Sequence, residues 1–235
     1  MIFAAGLGTR LRPLTDRMPK ALVPVGGQPL LWHIIMKLRQ AGFQRLVVNV
    51  HHFAEQIIDY LSANDNFGLD IRISDESGGL LETGGGIRKA LPLFDSTSPI
   101  LIHNVDILSN LNLTEVYEKA ATSNADALLV VSQRQTKRYL LFDDDMLLRG
   151  WTNIETGEVK GRLAERQLAF SGIHVLRPTV APLLADWPER FPIMDFYLKI
   201  CGRQPIGGYE AQELKLLDVG KLDTLDIANT FIKSL

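Results

Sequence analysis

The chain has 235 residues, of which 46% are hydrophobic, 22% charged and 8% aromatic. These are ordinary values for a globular protein, so long disorder, a collagen-like repeat and a disulfide-dense scaffold are excluded. The formal net charge is only −2, from 25 Lys and Arg against 27 Asp and Glu, and no basic stripe is present, so we expect no nucleic-acid partner.

Short apolar strands alternate with helical patterns along the first 131 residues. The predicted elements, strand and helix in turn, are 2–5, 30–41, 46–50, 55–61, 71–73, 86–91, 100–102, 113–121 and 128–131. In the helix at 30–41, apolar residues recur every three or four positions, and Gly42 supplies a C-terminal stop. Strands that alternate with helices predict an α/β fold, in which a mainly parallel sheet carries helices on both faces.

The second half of the chain has a different pattern. Two apolar triplets at 140–142 and 146–148 flank three aspartates, which predicts a strand, a turn and a strand. Further strands are predicted at 173–176 and 214–217, with a closing helix at 221–233. Because no Pro-, Gly- or Ser-rich linker divides the chain, we predict a single domain over residues 1–235 with a small β insertion near 132–170.

Cysteine usage and hydropathy bear on the compartment. The one cysteine, Cys201, cannot form an internal disulfide, which fits a reducing environment. No window reaches the ~18 uninterrupted apolar residues of a membrane span, and the N-terminus lacks the basic stretch of a signal peptide. We therefore expect a cytoplasmic protein without a membrane partner.

The segment after the first strand concentrates glycine and positive charge. Gly6 and Gly8 permit a tight turn that brings backbone N–H groups close to an anion. Arg10, Arg12 and Lys20 add the guanidinium and ammonium groups that suit a phosphate chain. The spacing matches neither a Walker A loop nor the dinucleotide fingerprint. It predicts a phosphate-binding loop of another kind.

Two carboxylates follow apolar strands. Asp106 comes after the strand at 100–102 and Asp218 after the strand at 214–217. Open α/β sheets gather ligands at the carboxyl ends of their strands, and Mg²⁺ takes few carboxylates, filling its other positions with water and phosphate oxygens. An aspartate at such a place also serves as a helix cap or turn former. Asp106 and Asp218 are therefore candidate metal ligands.

Taken together, these motifs resemble the sugar-1-phosphate nucleotidyltransferases, also called nucleotide-sugar pyrophosphorylases. The resemblance rests on Gly6-x-Gly8-Thr9-Arg10-x-x-Pro13-Leu14-Thr15 with Pro19-Lys20, on Glu82-Thr83-Gly84-Gly85-Gly86, on Asp106, and on Asp218-Val219-Gly220. It implies a Rossmann-like α/β/α sandwich with a mixed, mainly parallel central sheet. It also implies a Mg²⁺-dependent reaction that joins a nucleoside triphosphate to a sugar 1-phosphate and releases pyrophosphate.

The resemblance also implies a role for each matching residue. Arg10 and Lys20 would be catalytic, and Asp106 and Asp218 would hold Mg²⁺. The implied nucleotide-binding residues are Ala5, Gly6, Leu7, Gly8, Thr9 and Gly85. The implied substrate-binding residues are Glu82, Gly84, Gly86 and Gly172.

The glycine run at 84–86 has two interpretations. It can open a helix whose backbone lies against the base and the sugar, with N–H groups that face an anion, or it can form a tight turn without a ligand. The chain also departs from the family pattern in two places. Val105 stands where many relatives carry a small residue, and the Glu-Lys-Pro segment that meets the sugar phosphate is missing. Lys160 and Arg162 are the candidates to replace its lysine.

Within the family, the short chain most resembles the N-acetylmuramate 1-phosphate uridylyltransferases of cell-wall recycling. This resemblance rests on the segments Leu81-Glu82-Thr83-Gly84-Gly85-Gly86 and Ala169-Phe170-Ser171-Gly172-Ile173. Mannose- or heptose-1-phosphate guanylyltransferases are the alternative, so the expected nucleotide is UTP or GTP and the expected acceptor a sugar 1-phosphate. A non-catalytic sensor of nucleotide sugars is the alternative of another class. Monomer and homodimer are both compatible with the sequence.

Overall fold

In the computed structural model, which describes residues 1–235, fourteen strands and seven helices follow one another along the chain. The strands are β1 Ile2–Phe3, β2 Pro24–Val25, β3 Gln28–Pro29, β4 Arg45–Val50, β5 Asp70–Asp75, β6 Ile100–Asn104, β7 Ile107–Ser109, β8 Ala127–Ser132, β9 Arg138–Phe142, β10 Leu148–Asn153, β11 Glu158–Gly161, β12 Arg166–Leu176, β13 Ile206–Glu210 and β14 Leu216–Asp218. The helices are α1 Leu30–Gln40, α2 Ala54–Ala63, α3 Glu82–Ala90, α4 Leu113–Thr122, α5 Ala181–Ala185, α6 Ile193–Ile200 and α7 Asp223–Phe231. None of the helices is long and apolar enough to cross a membrane.

The central sheet has the strand order β13-β8-β12-β6-β1-β4-β5. Strands β6, β1, β4 and β5 pair in parallel, and β13 pairs in parallel with β8. The long strand β12 lies antiparallel to both β6 and β8, so it alone runs against the other six. The expected mixed, mainly parallel sheet is confirmed.

Helices cover both faces of this sheet. On one face α1, α2, α4 and α7 pack against strand residues that include Val48 and Val130. On the other face α3, α5 and α6 pack against the preceding and following strand residues, Val47 and Val131. Because neighbouring residues of a strand point to opposite faces, each buried strand contributes to both cores and reads as a continuous apolar run. The α/β/α sandwich is confirmed.

The β insertion extends the central sheet. Strands β9, β10 and β11 pair antiparallel, and β9 continues onto the first three residues of β12. The predicted turn between β9 and β10 is present, with the Leu147 N–H donating to the Asp143 carboxylate at 2.9 Å. Arg149 Nε also donates to that carboxylate, at 2.6 Å. The aspartate cluster therefore forms a hairpin turn.

The structure differs from the sequence-based prediction in several boundaries and in several short elements. Strand β12 begins at Arg166, seven residues before the predicted start at 173. Helix α3 begins at Glu82, four residues before the predicted start at Gly86, so the glycine run lies inside the helix. Strands β2, β3, β7, β11 and β13 and helices α5 and α6 were not predicted. Strand β7 matters most for function, because its antiparallel pairing with β14 places Asp218 opposite Ile107, beside Asp106.

Candidate active site

A cavity of about 550 Å³ opens at the carboxyl ends of β1, β4 and β6. Its lining contains the whole loop 5–10, together with Lys20, Glu82 and Asp106. These segments are distant in sequence, and they meet because parallel strands deliver their following loops to one edge of the sheet. We refer to this space as the first cavity.

The glycine loop leaves donors free for an anion. The N–H groups of Gly6, Leu7 and Gly8 donate to no protein acceptor. Gly8 has a φ of +62°, and a Cβ placed on it would lie 2.9 Å from Thr15 Cγ2, so no larger residue fits this turn. Thr15 Oγ1 donates to the Gly8 carbonyl at 2.8 Å and holds the turn closed. Consecutive free N–H groups around a tight turn are the usual form of a phosphate-binding concavity.

Asn49, a residue that sequence analysis missed, fastens the start of this loop. Its side-chain oxygen accepts hydrogen bonds from the N–H groups of Ala4 and Ala5, at 2.7 and 3.3 Å. The Ala5 N–H is therefore already satisfied within the protein. The available signal was a polar residue inside the apolar strand β4, because a buried amide must find partners.

The other end of the Asn49 amide connects to helix α3. Asn49 Nδ2 donates to Glu76 Oε1 at 2.7 Å, and Glu76 Oε2 accepts the Leu81 N–H at 3.1 Å. Asn49 is 2% exposed and Glu76 1% exposed, so this network is shielded from water. Both residues line the first cavity. The network thus joins the glycine loop to the segment that precedes α3.

Four charged groups converge at one end of the first cavity. Lys20 Nζ forms an ion pair with the Asp106 carboxylate, and these side chains are only 10% and 19% exposed. The Val219 N–H donates to the Asp106 carbonyl at 2.8 Å, which ties the Asp218 segment to Asp106. Arg10 joins them at Gly220, where an added Cβ would lie 2.7 Å from both Arg10 Nη2 and Asp218 Oδ1. The tertiary structure therefore gathers the two residues expected to be catalytic and the two expected metal ligands. Arg12, the other cation of the predicted phosphate loop, pairs with Asp16 at 3.1 Å and does not line the cavity.

The charges of this group act on Asp218 in both directions. Partial loss of contact with water and the negative charge of Asp106 raise the pKa of the Asp218 carboxyl, while Lys20 and Arg10 lower it. No cluster of three or more His, Cys, Asp or Glu side chains that could hold a metal ion occurs in the chain. Two neighbouring carboxylates fit Mg²⁺, which fills its remaining positions with water and substrate phosphate.

The glycine run in α3 differs from its expected role. A Cβ on Gly84 would lie 2.1 Å from the Phe191 ring, and one on Gly85 would lie 2.1 Å from the Glu189 carbonyl oxygen. The N–H groups of Gly84 and Gly85 both donate to the Phe191 carbonyl, at 2.8 and 3.3 Å. These two glycines thus allow α3 to pack closely against the segment at 189–191, and their N–H groups do not face an anion.

Gly86 is also used within the protein, because a Cβ there would lie 2.7 Å from Glu76 Oε1. None of the three glycines lines the first cavity, whereas Glu82 and Thr83, the residues before them, do. Glu82 has a φ of +61°, which is rare for a side chain of its size. Such strain often marks a functional segment.

A second cavity of about 560 Å³ adjoins the first. The two share Phe3, Thr83, Asn104 and Pro192 in their linings. The rest of the second cavity is lined mainly by the β insertion, β12 and α6. Gly172 lines neither cavity. It lies in the bulge of β12 with a φ of +78°, and an added Cβ would lie 2.8 Å from Asn104 Nδ2. Gly172 therefore makes room for Asn104, which lines both cavities.

Of the two candidates for the missing lysine, only Lys160 lines the second cavity. Its ammonium lies 3.5 Å from Asp195 Oδ1 and 4.0 Å from Glu158 Oε1. It also lies 5.5 Å from the centre of the Trp151 ring, within the range of a cation–π contact. Arg162 does not line either cavity.

Comparison with known proteins gives consistent results. The model of the family described as Nucleotidyl transferase matches residues 1–234. The N-acetylmuramate alpha-1-phosphate uridylyltransferase of Neisseria meningitidis is 44% identical over 183 residues, which is 76% of this chain and 74% of that protein. The enzyme of the same name from Caulobacter vibrioides is 34% identical over 222 residues, 88% of each chain.

A solved structure shows the same fold at low sequence identity. The crystal structure of HddC from Yersinia pseudotuberculosis, complexed with GMP-PN, superposes with a TM-score of 0.78 at 21% identity. The match covers 98% of this chain and 97% of that one. The arrangement of sheet, helices and insertion is therefore shared over nearly the whole length of both proteins.

Proposed function

The chain belongs to the nucleotidyl transferase family, and from this premise we propose that it transfers a uridylyl group from UTP to N-acetylmuramate 1-phosphate, releasing pyrophosphate. The observation that carries the reaction type is the convergence of Arg10, Lys20, Asp106 and Asp218 beside a loop with free N–H groups. The choice of base and sugar is supported by the two uridylyltransferase relatives.

In the proposed reaction, an oxygen of the sugar 1-phosphate attacks the α-phosphorus of UTP and pyrophosphate leaves. A phosphate monoester is ionised at pH 7, so no general base is required. Catalysis then consists mainly of positioning and of neutralising charge. The free N–H groups of Gly6, Leu7 and Gly8 would hold the triphosphate, while Arg10 would bind the β and γ phosphates and stabilise the departing pyrophosphate.

Lys20 and the two aspartates would act at the α-phosphate. The Lys20 side chain is only 10% exposed, so water screens its charge little, and charge that builds on the α-phosphate would be stabilised strongly. Asp106 and Asp218 are the residues that would hold Mg²⁺, which when bound neutralises phosphate charge. Because Lys20 pairs with Asp106 in the structure, its ammonium is already positioned beside the proposed metal ligands.

We also propose that the reaction takes place in the cytoplasm, where nucleoside triphosphates are available, and that it serves cell-wall recycling, since N-acetylmuramate is a cell-wall sugar. The single cysteine, which is free and buried, fits that reducing compartment.

The experiment is a pyrophosphate-release panel with the purified protein. It crosses UTP, GTP, dTTP, CTP and ATP with the 1-phosphates of N-acetylmuramate, N-acetylglucosamine, glucose, mannose and heptose, with and without Mg²⁺. We expect UTP with N-acetylmuramate 1-phosphate to react fastest, and only with Mg²⁺. Reaction of GTP with mannose or heptose 1-phosphate instead would support the guanylyltransferase alternative. Nucleotide binding without pyrophosphate release would support a non-catalytic sensor.

A further inference from the structure

Three cationic side chains line the second cavity, and they differ in the partners that they already have. Lys160 is paired with Asp195 and Glu158. Arg134 donates from Nη2 to the Phe170 carbonyl at 2.9 Å. The guanidinium of Arg138 has neither an ion pair nor a hydrogen bond, although it stands at the cavity wall. Arg134 and Arg138 both lack an ion pair, and Arg138 also keeps every guanidinium N–H free for an anion.

The position of Arg138 separates it from the site of phosphate transfer. Arg138 lines the second cavity and not the first, which holds Lys20 and Asp106. It begins β9, the strand that joins the insertion to β12. An anion bound by Arg138 would consequently be a different group from the phosphate that reacts.

A buried histidine gives independent evidence that the second cavity is a ligand site. His174 lines the cavity and is 2% exposed, yet neither of its ring nitrogens has a hydrogen-bond partner. Its ring stacks on the Phe170 ring and lies edge-to-face with the Tyr197 ring, with 5.7 Å between ring centres in both pairs. Burial lowers the pKa of His174 to about 3, so at neutral pH it offers one donor and one acceptor. Buried polar atoms without partners are uncommon and destabilise a fold, so their presence at this cavity wall is typical of a functional site.

We propose that Arg138 binds the lactyl carboxylate of the acceptor sugar and so selects muramate over hexosamine acceptors that lack this group. This inference rests on the proposed function. N-acetylmuramate 1-phosphate carries two separated anions, and its phosphate must reach Lys20 and Asp106 in the first cavity. The carboxylate then extends into the adjoining second cavity, where the planar fork of an arginine matches it with two parallel hydrogen bonds.

The test compares Arg138→Gln with Lys137→Gln. Lys137 is the neighbouring cation, but it pairs with Glu155 at 2.6 Å and does not line the cavity, so its variant controls for the loss of one positive charge. The acceptors are N-acetylmuramate 1-phosphate, its neutral lactyl amide, and N-acetylglucosamine 1-phosphate. Steady-state rates are measured at saturating UTP and Mg²⁺.

We expect Arg138→Gln to lower kcat/KM for N-acetylmuramate 1-phosphate by about tenfold to a hundredfold, mostly through KM, as for the loss of a charge-assisted hydrogen bond. The same variant leaves kcat/KM for the amide and for N-acetylglucosamine 1-phosphate unchanged. Lys137→Gln leaves all three acceptors unchanged. The effect of Arg138→Gln on the acceptor with the carboxylate is compared with its effect on the amide. The difference between these two effects isolates the contact between Arg138 and the carboxylate.

Two results would overturn the inference while leaving the proposed function in place. In the first, the wild-type enzyme prefers N-acetylmuramate 1-phosphate and the Arg138→Gln variant keeps the same preference. The other is an equal loss with all three acceptors, which would indicate a structural role. A wild-type enzyme that does not use N-acetylmuramate 1-phosphate at all would overturn both proposals.

Discussion

The two glycine-rich segments of this protein look alike in the sequence and have opposite uses in the structure. Gly6 and Gly8 line the first cavity, and their N–H groups have no protein acceptor. The glycines of α3 lie outside the cavity lining, and the N–H groups of Gly84 and Gly85 donate to the Phe191 carbonyl. Glycine marks a close approach of other atoms to the backbone. Whether those atoms belong to a ligand or to the protein depends on the tertiary structure.

The largest expected effect concerns the charged group that the glycine loop faces. Lys20→Ala is expected to lower kcat by at least about a hundredfold, comparable to the loss of one preorganised contact to the transition state. Asp106→Ala is expected to lower kcat by a similar factor, because it removes a proposed metal ligand. The measurement is pyrophosphate release at saturating substrates, with circular dichroism to verify folding. Near wild-type rates in both folded variants would contradict the assignment of this cavity as the active site.

Gly85→Ala tests the packing role of the second segment. The added methyl would lie 2.1 Å from the Glu189 carbonyl oxygen, so either α3 or the segment at 189–191 must move. We expect the free energy of unfolding to fall by about 1–3 kcal/mol, the usual cost of overpacking. Urea denaturation measures this change, and UTP affinity of the folded variant serves as the second readout. If the unfolding midpoint is unchanged and UTP affinity is lost, Gly85 serves ligand binding and not packing.

Gly6→Ala is the matched substitution in the first segment. No protein atom lies within 4 Å of an added Cβ there, and the φ of Gly6 is outside the left-handed region, so the unfolding midpoint is expected to stay unchanged. The methyl instead enters the first cavity, and UTP affinity is expected to fall by roughly tenfold, as for overpacking of a close contact. Isothermal titration calorimetry with UTP measures the effect. Loss of stability without loss of affinity would show that this loop, too, serves packing.

The smallest expected effect is electrostatic and lies at Asp218. A carboxyl whose pKa is raised in the folded state binds its proton more tightly than in the unfolded chain. The stability of the metal-free protein therefore falls as the pH rises through the window from the ordinary pKa to the raised one. Asp218→Asn removes this penalty, so the Tm of the variant relative to wild type is expected to be higher at pH 7 than at pH 4.

Differential scanning calorimetry without metal measures this difference, and added Mg²⁺ should raise the Tm of the wild type more than that of the variant. A variant whose Tm difference from wild type is the same at both pH values would show that the Asp218 charge is not penalised. It would also weaken the case for a cation between the two aspartates.

Sequence alone was sufficient where the signal is local. Alternating apolar runs and helical periodicity predicted the α/β/α sandwich, and the three aspartates at 143–145 predicted the hairpin turn. The spacing of Gly6, Gly8 and Arg10 singled out the loop that lines the first cavity. Such features depend on the conformation of a few neighbouring residues, and residue type largely determines that conformation.

Contacts between distant segments needed the tertiary structure. The Asn49–Glu76 hydrogen bond joins β4 to the residue after β5, and the packing of Gly84 against Phe191 spans more than a hundred positions. Arg138 and His174 line one cavity because the insertion continues onto β12. The type of a residue determines which partners it can have. Arg138 can bind an anion, and Gly84 allows another group to approach closely. Which partner is present depends on which surfaces the folded sheet and its helices bring together, because burial and register are properties of the whole chain.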